Sequence, residues 1–200
     1  MSKIALLLIT TAVLSWCQED SEPKPTLSNK PLTAEQVAVY SAFLKVYDNG
    51  SDTNLNVANV TDPLDLSMFE MKEGRGCLKG IFFGNLKQAR SVVHRMDSAF
   101  ANTSKITLVD PEKQSEVVKE NDPQKALLHG EKDLDKAVDT AFATGLFTFS
   151  EIVFDKKHTW AVMAFSFHCG RLCGHGGMVV LHKANKEWKV TKRECGSWIS

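Results

Sequence analysis

The segment from Thr159 to His168 carries apolar side chains on both of its alternating faces. Trp160, Val162 and Ala164 point one way; Ala161, Met163, Phe165 and Phe167 point the other. Side chains alternate across a strand, so this strand has no face to offer water. It predicts the central strand of a sheet covered on both sides. Truncation there is expected to be severe, about 3–5 kcal/mol for Phe165→Ala.

The segments around it share its character. Leu146–Phe154, Met178–Lys183 and Glu187–Arg193 are rich in β-branched and aromatic residues. Asp155-Lys156-Lys157 and Ala184-Asn185-Lys186 read as turns between them. In the last long strand Trp188 and Val190 face the core, while Lys189, Thr191 and Arg193 face water. Gly196-Ser197-Trp198-Ile199 is a candidate closing strand. The order implies an antiparallel meander.

The first half is mostly helical. Thr33 and Gln36 form a capping-box signature. Val37, Tyr40, Leu44 and Tyr47 follow at helical spacing, with Phe43 and Val46 widening the stripe, until Asn49-Gly50 ends the helix. Leu55 to Val60 and Lys105 to Val109 read as short strands. A helix is expected from Asn85 to Met96. Asp110-Pro111 and Asp122-Pro123 each read as an N-cap followed by proline at the first helical position. A further polar helix is expected from Lys132 to Ala143. The fold class is therefore α+β, with N-terminal helices packed on a C-terminal antiparallel sheet.

Organisation follows from the N-terminus. Lys3 precedes an apolar run from Ile4 to Leu14, and the chain turns polar at Gln18-Glu19-Asp20. That pattern predicts an export signal over residues 1–16. Leu14-Ser15-Trp16-Cys17 resembles a bacterial lipobox, which would make Cys17 a lipid anchor; the alternative is ordinary cleavage after Ser15. Pro23, Pro25 and Pro31 lie among polar residues, so 17–32 reads as anchor and flexible tether. Residues 33–200 form one domain. With 24 basic and 24 acidic residues, the chain gives no reason to expect nucleic acid as a partner. Membrane contact is expected only through the lipid anchor. The expected location is the inner or outer membrane, or else the periplasm or medium.

Chemistry-bearing residues crowd between Phe167 and Gly177, which hold Cys169, Cys173, His168, His175 and four glycines. Besides Cys17, the cysteines are Cys77, Cys169, Cys173 and Cys195. Four cysteines in an oxidising compartment favour disulfides and allow three pairings. One joins Cys169 to Cys173 within a tight turn and Cys77 to Cys195. A zinc or copper site is the alternative, with Cys169, Cys173 and His175 as ligands and His168 or His182 as a fourth. Against it, His168 and Cys169 are neighbours on a strand and face opposite ways. A thiol-redox role is weaker, because these cysteines do not open a helix. Arg171 at the turn is a candidate contact for a partner's acidic group.

The C-terminal third resembles a group of uncharacterised exported bacterial proteins. The shared elements are Phe149-Ser150-Glu151-Ile152-Val153-Phe154, Cys169 to Gly176, Leu181-His182-Lys183, Trp188-Lys189-Val190 and Trp198-Ile199-Ser200. A weaker similarity is to cystatin- and NTF2-like domains, which implies helices beside a curved sheet and no particular activity. The sequence carries no Gly-x-Ser-x-Gly, His-Glu-x-x-His or phosphate-cradling loop. The expectation is a non-catalytic binding or structural domain of the envelope, without a cofactor, whose partner is an envelope protein or a small ligand.

Overall fold

The computed structural model describes residues 24–47, 54–64, 76–83, 86–96, 105–130, 133–193 and 195–200. The expected signal segment, Cys17, the stop at Asn49-Gly50 and the cap at Asn85 lie outside them.

Helix α1 (Ala34–Leu44) begins at Thr33, and the capping box is complete. The Gln36 amide donates to the Thr33 hydroxyl at 3.2 Å, and the Thr33 amide donates to Gln36 Oε1 at 2.9 Å. The helix buries Val39, Tyr40 and Phe43. Of the expected stripe, Val37, Leu44 and Tyr47 are half-buried and Val46 is exposed. The buried face is thus rotated toward Val39.

The main sheet has eight strands. β2 (Leu55–Ala58) pairs in parallel with β4 (Ile106–Val109) and with β5 (Leu146–Phe149). β5 and β6 (Val153–Phe154) both pair antiparallel with β7 (Trp160–Gly170). β7 pairs with β8 (Cys173–Ala184), and β8 carries β9 (Glu187–Val190) and β10 (Ser197–Ile199), all antiparallel. The C-terminal strands pair antiparallel, but the sheet as a whole is mixed. The parallel strands enter because α3 (Pro111–Glu120), α4 (Pro123–Leu128) and α5 (Leu134–Thr144) carry the chain from β4 back to β5. A crossover of that length is what parallel neighbours require.

Two other expectations change. The continuous strand over 146–154 is two strands, interrupted at Ser150-Glu151-Ile152. The helix expected to reach Met96 stops early: α2 (Leu86–Ser91) gives way to β3 (Val92–Val93), where two β-branched residues favour extension. β3 pairs in parallel with β1 (Thr26–Leu27). Part of the expected tether is therefore a strand, and Leu32 joins the core.

β7 is central, and its two faces divide as the sequence predicts. Ala161, Met163, Phe165 and Phe167 belong to the main core beneath α1, whereas Trp160, Val162 and Ala164 join a second cluster with Val153, Met178, Val180, Cys77 and Cys195. Aromatic rings cement α1 to the sheet: Tyr40 lies 4.8 Å from Phe149, and Phe43 lies 4.8 Å from Phe165. Phe165 itself is only half-buried, so the sequence-based cost for Phe165→Ala is too high. Arg193, expected to face water, stacks 4.7 Å from the Trp160 ring and donates to the Cys77 carbonyl at 2.7 Å.

Strand β10 depends on a missing side chain. Trp198 pairs with Gly176 on β8, and a Cβ at Gly176 would lie 2.6 Å from both Trp198 Nε1 and the Phe165 carbonyl oxygen. Gly176→Ala is expected to push the indole off the sheet. Faster hydrogen exchange at the Ser197–Ile199 amides, with the β7–β8 amides away from Gly176 still protected, is the result to look for; unchanged exchange would show that the strand does not need this close approach.

Candidate functional site

The break between β5 and β6 builds the site. At Ser150 the side chain enters the backbone ladder, where Ser150 Oγ accepts from the Ala164 amide at 2.7 Å. The Glu151 amide turns aside to the Asp62 carbonyl at 2.8 Å. Glu151 is thereby placed inside, 4% exposed. A buried carboxylate is costly unless its oxygens find donors. The Thr61 hydroxyl donates to Glu151 Oε1, and His94 Nδ1 lies 2.9 Å from the same oxygen. A carboxylate only accepts, so His94 donates through Nδ1–H. The His94 amide donates to Thr61 Oγ1 at 2.8 Å, locking the three residues together. Tyr40, fully buried below, donates to the Ser150 carbonyl at 2.8 Å. Burial, and then the charge of Glu151, push the Tyr40 phenol well above its ordinary range.

A second histidine–carboxylate pair stands nearby. Glu35, in the first turn of α1, accepts from Lys183 Nζ at 2.6 Å and from His158 Nδ1 at 2.7 Å. Burial alone would raise the Glu35 carboxyl, but Lys183 and His158 outweigh it and hold it below its ordinary value. His158 stacks on Phe154 with ring centres 4.9 Å apart and takes a left-handed backbone, φ 52°. That conformation costs about 1–2 kcal/mol for a residue with a Cβ. The Asp155 turn imposes it: Asp155 Oδ1 accepts from the Thr159 and Trp160 amides at 2.7 and 2.8 Å. These and the other turn donors overcome burial and keep the Asp155 carboxyl below its usual value.

Both pairs line one cleft of about 460 Å³, between the start of α1, the α2–β3 segment and β6. Its apolar wall includes Ala89, Val92, Ile152 and Phe154. The volume lies in the range of small-ligand pockets.

The residues singled out from the sequence lie elsewhere. Cys169 is joined to Cys173 and Cys77 to Cys195, with Cα separations of 5.0 and 5.1 Å. Both sulfurs of the short bridge are engaged, so neither is a thiolate ligand in this state. His175 shares the core face with Cys169 and bonds through Nε2 to the Tyr47 hydroxyl at 2.8 Å. His168 is on the opposite face of the sheet, with its ring 5.0 Å from that of Trp198. His182 sits at the far end of β8 against Trp160, 4.3 Å between ring centres. Among the described residues no three histidine, cysteine or acidic side chains converge as a metal site. Arg171 is exposed at the β7–β8 turn, and its amide donates to Asp122 Oδ2 at 3.2 Å.

Burial holds the His175 imidazole below its ordinary value of 6.5. As pH falls through 6.5 the unfolded chain takes the proton first, so stability declines below that pH and levels off beneath the depressed value. The urea midpoint is therefore expected to drop between pH 7 and pH 5, and His175→Asn to flatten part of that slope. An identical slope in the variant would assign the dependence to other groups. His168 is pushed the same way by burial, with Asp62 opposing.

Sequence reasoning missed His94, Glu151, Glu35 and His158. Only one of them left a local signal: Glu151 is a lone charge inside the apolar run from Leu146 to Phe154. Comparison with protein-family models, curated proteins and solved structures finds no match for the chain. The resemblance of the C-terminal third thus rests on its motif alone.

Proposed function

We propose that the protein is an exported, lipid-anchored domain of the bacterial envelope with a non-catalytic binding role, and that its ligand is held in the cleft between α1, α2 and β6. The observation that carries export is the Cys77–Cys195 bridge, which spans 118 positions. A bond of that kind persists in an oxidising compartment and is rare in a reducing one. Cys17 is the attachment point in this reading; among the described residues no helix is long and apolar enough to cross a membrane. The binding role is supported by the cleft, where two imidazoles are each fixed by a carboxylate around a concave space.

Cell fractionation with fatty-acid labelling tests the anchor. The native protein is expected to label and stay with the membrane, and Cys17→Ser to release it or block its processing. A native protein recovered in soluble form and beginning at Trp16 would sink the anchor and leave export. A cytoplasmic protein with four free thiols would sink the whole reading.

A further inference from the structure

The cleft has a charge left over. Glu35 is matched by Lys183 and His158, and Asp155 by the amides of its own turn. Glu151 differs. Both of its side-chain hydrogen bonds fall on Oε1. Its Oε2 has no partner, yet no buried side-chain nitrogen or oxygen among the described residues lacks one. Oε2 is therefore not sealed, although the residue is 4% exposed, and Glu151 is one of the residues that line the cleft. The same reasoning applies to His94, a cleft-lining residue: Nδ1 is committed to Glu151, and Nε2 has no hydrogen-bond partner among the described residues. In the neutral imidazole that nitrogen accepts. The deep wall thus offers a carboxylate oxygen and an imidazole nitrogen, both acceptors, beside the apolar side chains of Val92, Ile152 and Phe154.

We infer that the cleft binds an organic cation, an alkylammonium group whose N–H donors meet Glu151 Oε2 and His94 Nε2 while its carbon chain lies on the apolar wall. Glu35 and Asp155 are already matched, so the carboxylate of Glu151 is the charge left to the cleft, and it favours a positive ligand over an anion. A charged donor on a partly desolvated carboxylate makes the stronger class of hydrogen bond. The inference rests on the binding role proposed above and names its ligand class.

The test is a titration of the purified, oxidised protein, isotope-labelled for amide spectra, at pH 8. The probe is hexylammonium, with hexanol and hexanoate as neutral and anionic counterparts. Hexylammonium is expected to give saturable shifts at residues 92–95 and 151–154, and the counterparts at least about tenfold weaker ones. Glu151→Gln is expected to lose about tenfold in affinity. Lys156→Ala, at an exposed position that leaves the buried pair intact, is expected to bind more tightly by removing a like charge. Equal binding of hexylammonium and hexanol, shifts centred elsewhere, or unchanged affinity in both variants would overturn the inference. Failure here with an exported, oxidised protein removes only the ligand class. A cytoplasmic, reduced protein that still takes hexylammonium in the cleft would remove the export reading instead.

Discussion

The double variant Cys77→Ala/Cys195→Ala is expected to lose about 5 kcal/mol of stability in the chain-entropy account, because the bond closes a loop of 118 positions. The local bridge, with a separation of 4, is expected to contribute only about 2 kcal/mol by the same rule. The long bond also pins the segment at 76–83 to the outer face of the sheet. That segment is also held by Arg193, which donates to the carbonyls of Cys77 and Lys79, by the packing of Leu78, Ile81 and Phe83, and by the bridge from Phe83 to Asp155. Urea unfolding followed by circular dichroism reads the loss. The denaturant slope should rise as well, since an unlinked unfolded chain exposes more surface. A loss below about 1 kcal/mol with an unchanged slope would mean that the unfolded chain is already restrained in some other way.

Phe149→Ala is expected to cost about 3–5 kcal/mol, the range for emptying a sealed aromatic site. Phe149 is fully buried where α1 meets the sheet. Its ring lies within 5.9 Å of those of Tyr40, Phe43 and Phe147, so the cavity has rigid walls and little freedom to collapse. Phe165→Ala, at a half-buried position, should cost clearly less. Thermal or urea unfolding of the two variants side by side gives the order, and the reverse order would place the main contact of α1 further along β7.

The strand Thr159–His168 was legible because its pattern is local: apolar residues at every position from Trp160 to Phe165 allow only a covered strand. The capping box of α1 was legible for the same reason, since Thr33 and Gln36 meet within one turn. Parallel pairing of β2 with β5 was not. It joins Asn56 to Leu146, ninety positions apart, and nothing in either segment encodes its neighbour. The cleft was hidden for a related reason. His94 and Glu151 come from opposite halves of the chain, and although Glu151 stands out as a lone charge in an apolar run, nothing near it points to His94. The cysteine turn was easy to see because its residues are adjacent, but adjacency brought no convergence. His168 and His175 lie on opposite faces of the sheet, so a dense stretch of sequence became two separate environments.

The Cys77–Cys195 bond also decides how the molecule answers a pull. A load applied at its two ends passes from residue 77 directly to residue 195 and bypasses everything between. Strands β3 to β9 and helices α2 to α5 fall within that covalent ring, so tension alone cannot draw them out. At about 3.5 Å of extended chain per residue, roughly 400 Å of contour length is withheld. Only the part before Cys77, with β1, α1 and β2, and the few residues of β10 can unravel. A stretched molecule would thus yield a short tail and keep a knot of sheet closed behind the sulfurs until a reductant opened it.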